Sequence, residues 1–369
     1  MENEQAGGGR SQMTRENIST PVNPATEFVR NMGIGVNIGN TLDAIGNAQW
    51  VAGETGWGNP LITREYIRAL KNYGYTTIRL PVTWAEYIGP GPSFYIEENR
   101  MSRVEEVVKW ILEEDLYVIV NLHHDGGESD RSWILNAGND PDGTAGQLKA
   151  VWGQIARRLS GVSQGKLIFE AMNEVGFDKL WNRWGGDVSR KGEAFNILNM
   201  LNQTFVDTVR GVAGNEDRFL LISGYWTDIN LSCDPLFKMP EDTKKDRLIL
   251  SVHYYDPSTF TIAEQLDNSW GFRDDWGTDA DYAELTAQFN KLRVNFIDKG
   301  VPVILGEYGV TRRNKVEDGR IKWMSAVMQT SLDNGVCPVL WETGGDIRRN
   351  PPYSMSAALT AVWDQFKGE

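Results

Sequence analysis

Short apolar runs alternate with longer amphipathic segments along most of the 369-residue chain. Apolar runs of about four to eight residues without polar alternation are typical of strands covered on both faces, as in a parallel sheet. Eight such strands are predicted, at residues 33–38, 76–82, 117–123, 167–172, 219–224, 248–254, 301–307 and 337–341. Helices with a period of about 3.6 residues are predicted at 63–73, 100–114, 146–159, 192–212, 280–298, 320–332 and 354–366.

The strand count predicts an α/β fold, a (β/α)₈ TIM barrel in a single domain, because barrel closure leaves no parallel edge bare. An open doubly wound sheet is the alternative, but the first strand-to-helix turn, at residues 38–43, lacks the glycine spacing that binds a pyrophosphate. The connection at 234–246 has little helical signal and is the weakest point of the count. Residues 1–26 have no period and are expected to be a disordered tail or an added remnant, with the barrel domain at 27–369.

The composition of the chain disfavours some classes of binding partner. Lys and Arg number 37 against 50 Asp and Glu, and the net charge of −13 disfavours nucleic acid and suits an uncharged substrate. No apolar stretch approaches the ~20 residues that cross a bilayer, so no membrane partner is expected. The N-terminus lacks the apolar core of a secretory signal, so the protein either stays inside the cell or has lost its signal.

Polar residues cluster at the carboxyl ends of six predicted strands, where chemistry gathers in parallel α/β folds. These residues are Arg79, His123, His124, Asn173, Glu174, His253, Tyr255, Glu307, Tyr308, Trp341 and Glu342. All three histidines of the chain fall at this rim. A single histidine at a strand end is as readily a hydrogen-bonded structural residue, but convergence from six strands favours a functional site.

Two of these residues, Glu174 and Glu307, are remote in sequence and can meet only if the barrel closes. Two carboxyl groups across a cleft are the apparatus of glycoside hydrolysis. For isolated glutamates, structural carboxylates held by arginines would be the simpler interpretation. Asn173 adds a hydrogen-bond donor beside Glu174, and Arg79 can keep Glu307 ionised, so we expect Glu174 to titrate at higher pH than Glu307.

Two other functional classes are open at this point. The sequence His123-His124-Asp125, with His253 and a glutamate, could ligate a divalent ion, although the first predicted strand offers no histidine. A non-catalytic sugar-binding barrel would have lost a carboxylate, whereas both are present. The Gly-x-Ser-x-Gly motif of serine hydrolases is absent from the sequence.

Tryptophan supplies separate support for a sugar substrate. A flat apolar ring with one N–H suits the C–H face of a pyranose, although some of these rings are expected in the core. Ten of the fourteen tryptophans follow predicted strands: Trp50, Trp57, Trp84, Trp133, Trp181, Trp184, Trp226, Trp270, Trp276 and Trp341. A cleft with several sugar subsites is therefore predicted.

Together these motifs resemble glycoside hydrolase family 5, the retaining endo-β-glucanase barrels, and particularly its subfamily of endoglucanases and xyloglucanases. The resemblance extends from about Gly33 to Phe366. The matching segments are GNTLD at 39–43, ETGWGNP at 54–60, IRLPV at 78–82, NLHH at 121–124, FEAMNE at 169–174, HYY at 253–255, GEYG at 306–309 and LWE at 340–342.

The resemblance implies roles for individual residues. Glu174 is similar to the acid/base and Glu307 to the nucleophile of the family. Asn173 is similar to the residue that holds the sugar 2-hydroxyl. The further supporting and substrate-binding positions are Arg79 and Tyr255 beside the nucleophile, His123, His124 and His253 in the surrounding hydrogen-bond network, Trp341 beneath the sugar at the cleavage point, and Asn40 and Trp57.

The implied activity is endo-acting, retaining hydrolysis of β-1,4-linked glucans: cellulose, carboxymethylcellulose, mixed-linkage glucan and, as a further candidate, xyloglucan. β-Mannanase and xyloglucan-specific endoglucanase are the alternatives on the same site. The resemblance implies no metal or organic cofactor, a polysaccharide chain as partner and a secreted protein, and we expect a monomer.

Overall fold

The computed structural model describes residues 21–46, 49, 51–127, 131–265 and 268–366. Eight parallel strands form a closed barrel in the order β1 to β8, with β8 pairing back onto β1. The strands are β1 Gly35–Asn37, β2 Thr77–Leu80, β3 Tyr117–Asn121, β4 Leu167–Glu170, β5 Leu220–Asp228, β6 Leu248–Tyr254, β7 Val303–Tyr308 and β8 Cys337–Leu340. The (β/α)₈ prediction is confirmed, and the pairing of β1 with β8 excludes the open sheet.

Helices cover the outside of the barrel, and a two-stranded hairpin follows β8. The helices are α1 Pro24–Met32, α2 Arg64–Tyr73, α3 Glu98–Glu113, α4 Pro141–Arg158, α5 Lys191–Arg210, α6 Ile229–Ser232, α7 Ser258–Thr261, α8 Asp279–Asn295, α9 Glu317–Asp333 and α10 Ala357–Trp363. The hairpin pairs β9, Ile347–Arg348, with β10, Ser354–Met355. In the part of the chain described here, no helix is both long and apolar enough to traverse a bilayer.

The connection between β5 and β6 contains little helix, as its sequence indicated. Between β5 and β6 the structure has only the four-residue α6 and no helix over residues 234–246. Strand β5 instead runs on to Asp228, beyond the predicted end at residue 224, and its pairing with β6 shifts register between Ser223 and Asp228. The local pattern was therefore weak because the usual long helix is absent from this unit.

The first helix, α1, was missed by the sequence analysis. Asn23 caps it by accepting hydrogen bonds from the backbone N–H groups of Ala25 and Thr26, and the Thr26 hydroxyl accepts one from the N–H of Asn23. Pro24 occupies the first helical position, which needs no N–H donor. The predicted limit at residue 26 lies inside this helix and is wrong for residues 21–26, while residues 1–20 lie outside the described part of the chain.

Helix α1 closes the end of the barrel opposite the site. Phe28 stacks on Phe219, with ring centroids 3.7 Å apart, and meets Tyr117 edge-on at 5.4 Å. Tyr117 opens β3 and Phe219 directly precedes β5, so both mark the amino ends of their strands. With Val29 and Met32, Phe28 belongs to an apolar cluster that contains residues from most barrel strands.

Replacing Phe28 by Ala should destabilise the barrel without touching the site. A buried Phe→Ala change costs about 3–5 kcal/mol, because it removes apolar contact and leaves a cavity. Urea unfolding should therefore shift to lower denaturant, while activity of the folded fraction is retained. Val22→Ala is the matched control, since Val22 is exposed, and an equal loss in both variants would argue against a closing role for α1.

Strand irregularities gather at the opposite, carboxyl end. The β6–β7 pairing shifts register between Val252 and His253, which places His253 opposite Glu307. The β7–β8 pairing shifts between Leu305 and Tyr308. Because a bulge re-aims the side chains beside it, these shifts set the directions in which the residues of the rim point.

Candidate active site

Arg79, at the end of β2, organises the floor of the site. The buried guanidinium donates through Nε to Glu170 Oε2 (2.7 Å), through Nη1 to Glu307 Oε1 (2.7 Å) and Asn37 Oδ1 (3.0 Å), and through Nη2 to Asn173 Oδ1 (2.7 Å). A buried charge is costly unless it is paired and hydrogen-bonded, and these contacts meet that condition. One side chain thus holds groups from β1, β4 and β7 and from the loop after β4.

Glu307, on β7, is held at both oxygens. Arg79 contacts Oε1, and the hydroxyl of Tyr255 donates to Oε2 at 2.9 Å. Burial, with the charges of Glu307 and Glu174, raises the pKa of Tyr255 well above its ordinary value, so this phenol keeps its proton and remains a donor. The Glu307 side chain is only 7% exposed, and its carboxylate is fixed in orientation.

Glu174 faces Glu307 from the segment after β4. His253 Nδ1 lies 2.8 Å from Glu174 Oε1 and 3.7 Å from Glu307 Oε2. One oxygen of each glutamate and a ring nitrogen of His253 all lie within 4.8 Å of one another. The Glu174 side chain is 39% exposed, so it lines the open cleft while Glu307 forms its floor.

The two carboxyl groups differ in pKa. Burial raises the pKa of Glu307 above its ordinary value although His253 and Arg79 act to lower it, and the charge of Glu174 adds to the rise. Burial also acts to raise the pKa of Glu174, but the hydrogen bond and charge of His253, together with Arg79, leave it lowered. The expectation that Glu174 titrates above Glu307 is wrong for this structure, because Glu307 is the more deeply buried of the two and His253 donates its hydrogen bond to Glu174.

His123 and Trp341 form a flat surface beside the carboxylates. Their rings stack with centroids 5.6 Å apart and planes 8° from parallel. Burial first, and the neighbouring charges of His124 and Arg79 after it, lower the pKa of His123 well below its ordinary value, so the ring is neutral at neutral pH. At Gly39 a Cβ would lie 2.9 Å from the Trp341 ring, so the close approach of this ring requires glycine there.

The segment after β1 places Asn40 and Trp57 at the same rim. Asn40 has φ 58°, a left-handed conformation that Asn tolerates, and its backbone N–H donates to Asp43 Oδ2 at 3.0 Å. The Trp57 ring lies 5.6 Å from that of His124. Asp43 Oδ2 is 3.9 Å from His124 Nε2. Asn40, Trp57 and His124 therefore lie together at the carboxyl face of the barrel, whereas the predicted residue Tyr308 is fully buried and packs beside Trp323 of α9.

Comparison with known proteins decides the family. The sequence matches the cellulase family, glycosyl hydrolase family 5, over residues 40–346. The chain belongs to glycosyl hydrolase family 5. Its assignment from sequence as a glycoside hydrolase of the endo-β-1,4-glucanase type is thereby confirmed.

Several relatives within family 5 match almost the whole chain. Endoglucanase A of Ruminococcus albus is 33% identical over 341 residues, which cover 92% of this chain and 89% of the relative. A broad-specificity endoglucanase from an uncultured bovine rumen ciliate superposes with a TM-score of 0.79 at 34% identity, covering 94% of this chain and 97% of that one. A Caldicellulosiruptor lichenase mutant in complex with cellotetraose gives a TM-score of 0.84 at 29% identity, covering 94% and 96%.

The metal-ligand set proposed from sequence does not assemble as one cluster, because His253 groups with Glu174 and Glu307 and not with His123 and His124. Asp125 accepts hydrogen bonds from the backbone N–H of Trp84 (3.0 Å) and from Trp133 Nε1 (3.0 Å), so it ties loops together away from the histidine rings. Burial raises its pKa to about 6. Within the described residues it is Asp43, not Asp125, that shares a possible ligand cluster with His123 and His124.

The tryptophans divide between cleft and core. Trp84, Trp181 and Trp276 are buried and pack in the core, so they are not sugar platforms. Trp184 is 81% exposed and Trp270 52% exposed. The half-buried rings at the rim are Trp57, Trp133, Trp226 and Trp341. Trp50 lies outside the described residues.

Sequence reasoning assigned no role to two residues that hold the site together. Glu170, inside β4, accepts from Arg79 and from Ser251 Oγ at 2.7 Å. Asn37, inside β1, bonds Arg79 and donates to the carbonyl oxygen of Gly306 at 2.9 Å. Each interrupts an apolar strand, and since a buried polar group needs a partner, that interruption was the available signal.

Proposed function

We propose that this family 5 enzyme cleaves internal β-1,4 bonds of glucans with retention of configuration, with Glu174 as acid/base and Glu307 as nucleophile. The approach of their carboxylate oxygens to within 4.8 Å carries the proposal. Retaining glycosidases place the two carboxyl groups ~5–5.5 Å apart, whereas inverting enzymes need about 6.5–9.5 Å to admit a water molecule.

In the first step, Glu307 attacks the anomeric carbon while the bond to the glycosidic oxygen breaks and that oxygen takes the proton of Glu174. In the second, Glu174 removes a proton from water, and the hydroxide oxygen displaces Glu307 from the sugar. Arg79 and Tyr255 fix the attacking carboxylate and accept its loss of charge as the covalent bond forms. No metal or organic cofactor is required by these steps.

The proton of the pair must reside on Glu174 when the first bond breaks. In the site without substrate, the hydrogen bond of His253 lowers the pKa of Glu174, and burial raises the pKa of Glu307. A glycosidic oxygen bound to Glu174 in place of His253 would remove the interaction that lowers the pKa of Glu174. Substrate binding would thus shift this pKa in the direction that the acid role requires.

Asn173 and Trp341 position the sugar. Asn173 Oδ1 is occupied by Arg79, which directs the amide N–H₂ of Asn173 outward as a donor for the sugar 2-hydroxyl. The half-buried Trp341 ring, stacked on His123, offers its face to a pyranose. Asn40, Trp57 and His124 extend this surface toward the segment after β1.

We extend the substrate range to cellulose, mixed-linkage glucan and xyloglucan. A xyloglucan-specific endo-β-1,4-glucanase of Bacteroides ovatus, 33% identical over 336 residues, supports the last of these. It covers 85% of this chain, and the match spans 64% of the relative. We further propose that the protein is secreted and acts as a monomer.

Product analysis tests this function. We expect the protein to cleave carboxymethylcellulose, mixed-linkage glucan and xyloglucan faster than β-mannan, and NMR at early times to show the β-anomer first. An α-anomer at early times would mean inversion and would remove Glu307 from the nucleophile role. Faster cleavage of mannan would reassign the substrate, and loss of activity to a chelator would favour a metal-dependent reaction.

A further inference from the structure

A cavity of about 390 Å³ lies on the catalytic face, away from the two carboxylates. We name it the arginine cavity after three of its lining residues: Arg312, from the loop after β7, and Arg348 and Arg349, from the hairpin after β8. Asn59, in the loop after β1, also lines it and donates through Nδ2 to the carbonyl oxygen of Asn40 at 2.9 Å. The cavity is thus joined directly to the sugar-binding surface.

The residues around the arginine cavity carry surplus positive charge, in a chain whose net charge is −13. Among the described lining residues Asp346 is the one acid, and it is already paired with Arg320 at 2.8 Å. Arg348 is exposed and makes no ion pair within the described part of the chain. Asp346 also lies 3.8 Å from Arg312 Nε and is therefore shared between two arginines. The cavity thus presents the unpaired guanidinium of Arg348 beside the partly neutralised guanidinium of Arg312.

Arg349 adds a buried guanidinium that is held in place by Glu342. Its Nη2 donates to the carbonyl oxygen of Glu342 (2.8 Å) and to Glu342 Oε2 (3.2 Å). Its Nε and Nη1 are buried and make no hydrogen bond of normal geometry to the described residues, while the buried hydroxyl of Tyr66 interacts with the same guanidinium. Arg349 therefore adds positive charge to the wall of the cavity, and Glu342 fixes its position.

The position of the arginine cavity indicates which half of a bound glucan chain would lie beside it. Strand β8 lies opposite β4 in the closed ring of eight strands, so the cavity lies across the barrel from Glu174. Since Glu174 protonates the leaving oxygen in the proposed function, the side of β8 holds the part of the glucan that stays on Glu307. Arg312 follows Glu307 by five residues, which span at most about 18 Å of extended backbone.

We propose that the arginine cavity is a binding subsite for a carboxylate substituent carried by a sugar on the glycone side of a β-glucan chain. Carboxylate is the anion whose geometry a guanidinium group matches. The negative net charge of the protein repels an anionic polymer as a whole, so productive binding of such a chain needs a local positive contact. This inference rests on the proposed function, because the role of Glu174 defines the glycone side.

The test compares an anionic with a neutral substrate. Carboxymethylcellulose and hydroxyethylcellulose are hydrolysed by the wild type, by Arg348→Gln and by Arg348→Gln combined with Arg312→Gln. Arg313→Gln is the matched control: it removes the same charge next to Arg312, but Arg313 pairs with Glu264 and does not line the cavity. Cleavage of hydroxyethylcellulose by every variant reports the fold and the proposed function independently of the cavity.

We expect the ratio of kcat/KM for carboxymethylcellulose to that for hydroxyethylcellulose to fall about fivefold in Arg348→Gln and further in the double variant. Raised salt should reduce the difference in this ratio between the wild type and the double variant, because it screens the exposed arginine–carboxylate contact. Mass spectrometry of the wild-type products should show carboxymethyl groups enriched at one distance from the new reducing end, and the double variant should lose that enrichment. An unchanged ratio, or an equal fall in Arg313→Gln, would overturn the proposal.

Discussion

The Glu307→Gln variant should lose turnover by at least about a thousandfold and still bind glucan, because an amide cannot form the covalent bond to the sugar. The substitution fits the surroundings. The amide oxygen can accept from Arg79, and the amide N–H₂ can donate to the hydroxyl of Tyr255, which both donates and accepts. Arg79 keeps its second carboxylate, Glu170, at 2.7 Å. The loss should therefore fall on kcat with little change in stability.

Single-turnover kinetics and mass spectrometry check this result. A fluorinated glucoside that traps the covalent intermediate should label the wild type and leave Glu307→Gln unlabelled, while affinity for cello-oligosaccharides measured by calorimetry is retained. Glu317→Gln, on the exposed start of α9, is the matched control and should behave as the wild type. Normal turnover in a pure preparation of Glu307→Gln would refute the assignment.

Glu174→Ala should show a different defect. Removal of a general acid costs about 10²–10⁴-fold for a natural glycosidic bond, whose leaving oxygen needs a proton. An aryl glycoside with a good leaving group needs less proton donation, so the first step should survive and the covalent intermediate should accumulate. Azide should then enter the space left by the carboxylate and release a β-glycosyl azide without a base.

Steady-state rates with and without azide, and the configuration of the azide product, measure this effect. Azide should leave the rates of the wild type and of Glu307→Gln unchanged. The wild type keeps its base, and Glu307→Gln forms no covalent intermediate for azide to attack. Failure of azide and of activated glycosides to restore any rate would mean that Glu174 is not the acid/base.

Much of the architecture was predictable because its signals are local. Strand β6 was predicted with the observed limits, Leu248–Tyr254, and the helix predicted at 63–73 is α2, which Thr63 and Gly74 cap at its two ends. The predicted site residues lie together because the carboxyl ends of parallel strands share one face, so residues at equivalent strand positions meet. Closure of the barrel then brings Glu174 and Glu307 together although they are distant in sequence.

The features of the site that the sequence did not predict depend on the directions in which side chains point. The register shift at His253 aims its Nδ1 at Glu174, and that contact reverses the expected order of the two pKa values. Asp125 adjoins the histidines in sequence, yet its side chain turns to Trp84 and Trp133. Helix α1 was not predicted from the sequence. Its apolar face packs on the end of the barrel, a surface that exists only once the strands have assembled.

The contacts of Arg79 also determine which fragments of the chain could form the site. A fragment that stops after β4 would keep Arg79, Asn37 and Glu170 but would leave the guanidinium without Glu307, which arrives with β7. The Glu307 carboxylate gains its orientation at the same moment as the guanidinium of Arg79 gains its last counterion. Recovery of hydrolysis during refolding should therefore report completion of the ring itself, and lag behind any spectroscopic signal from its separate halves.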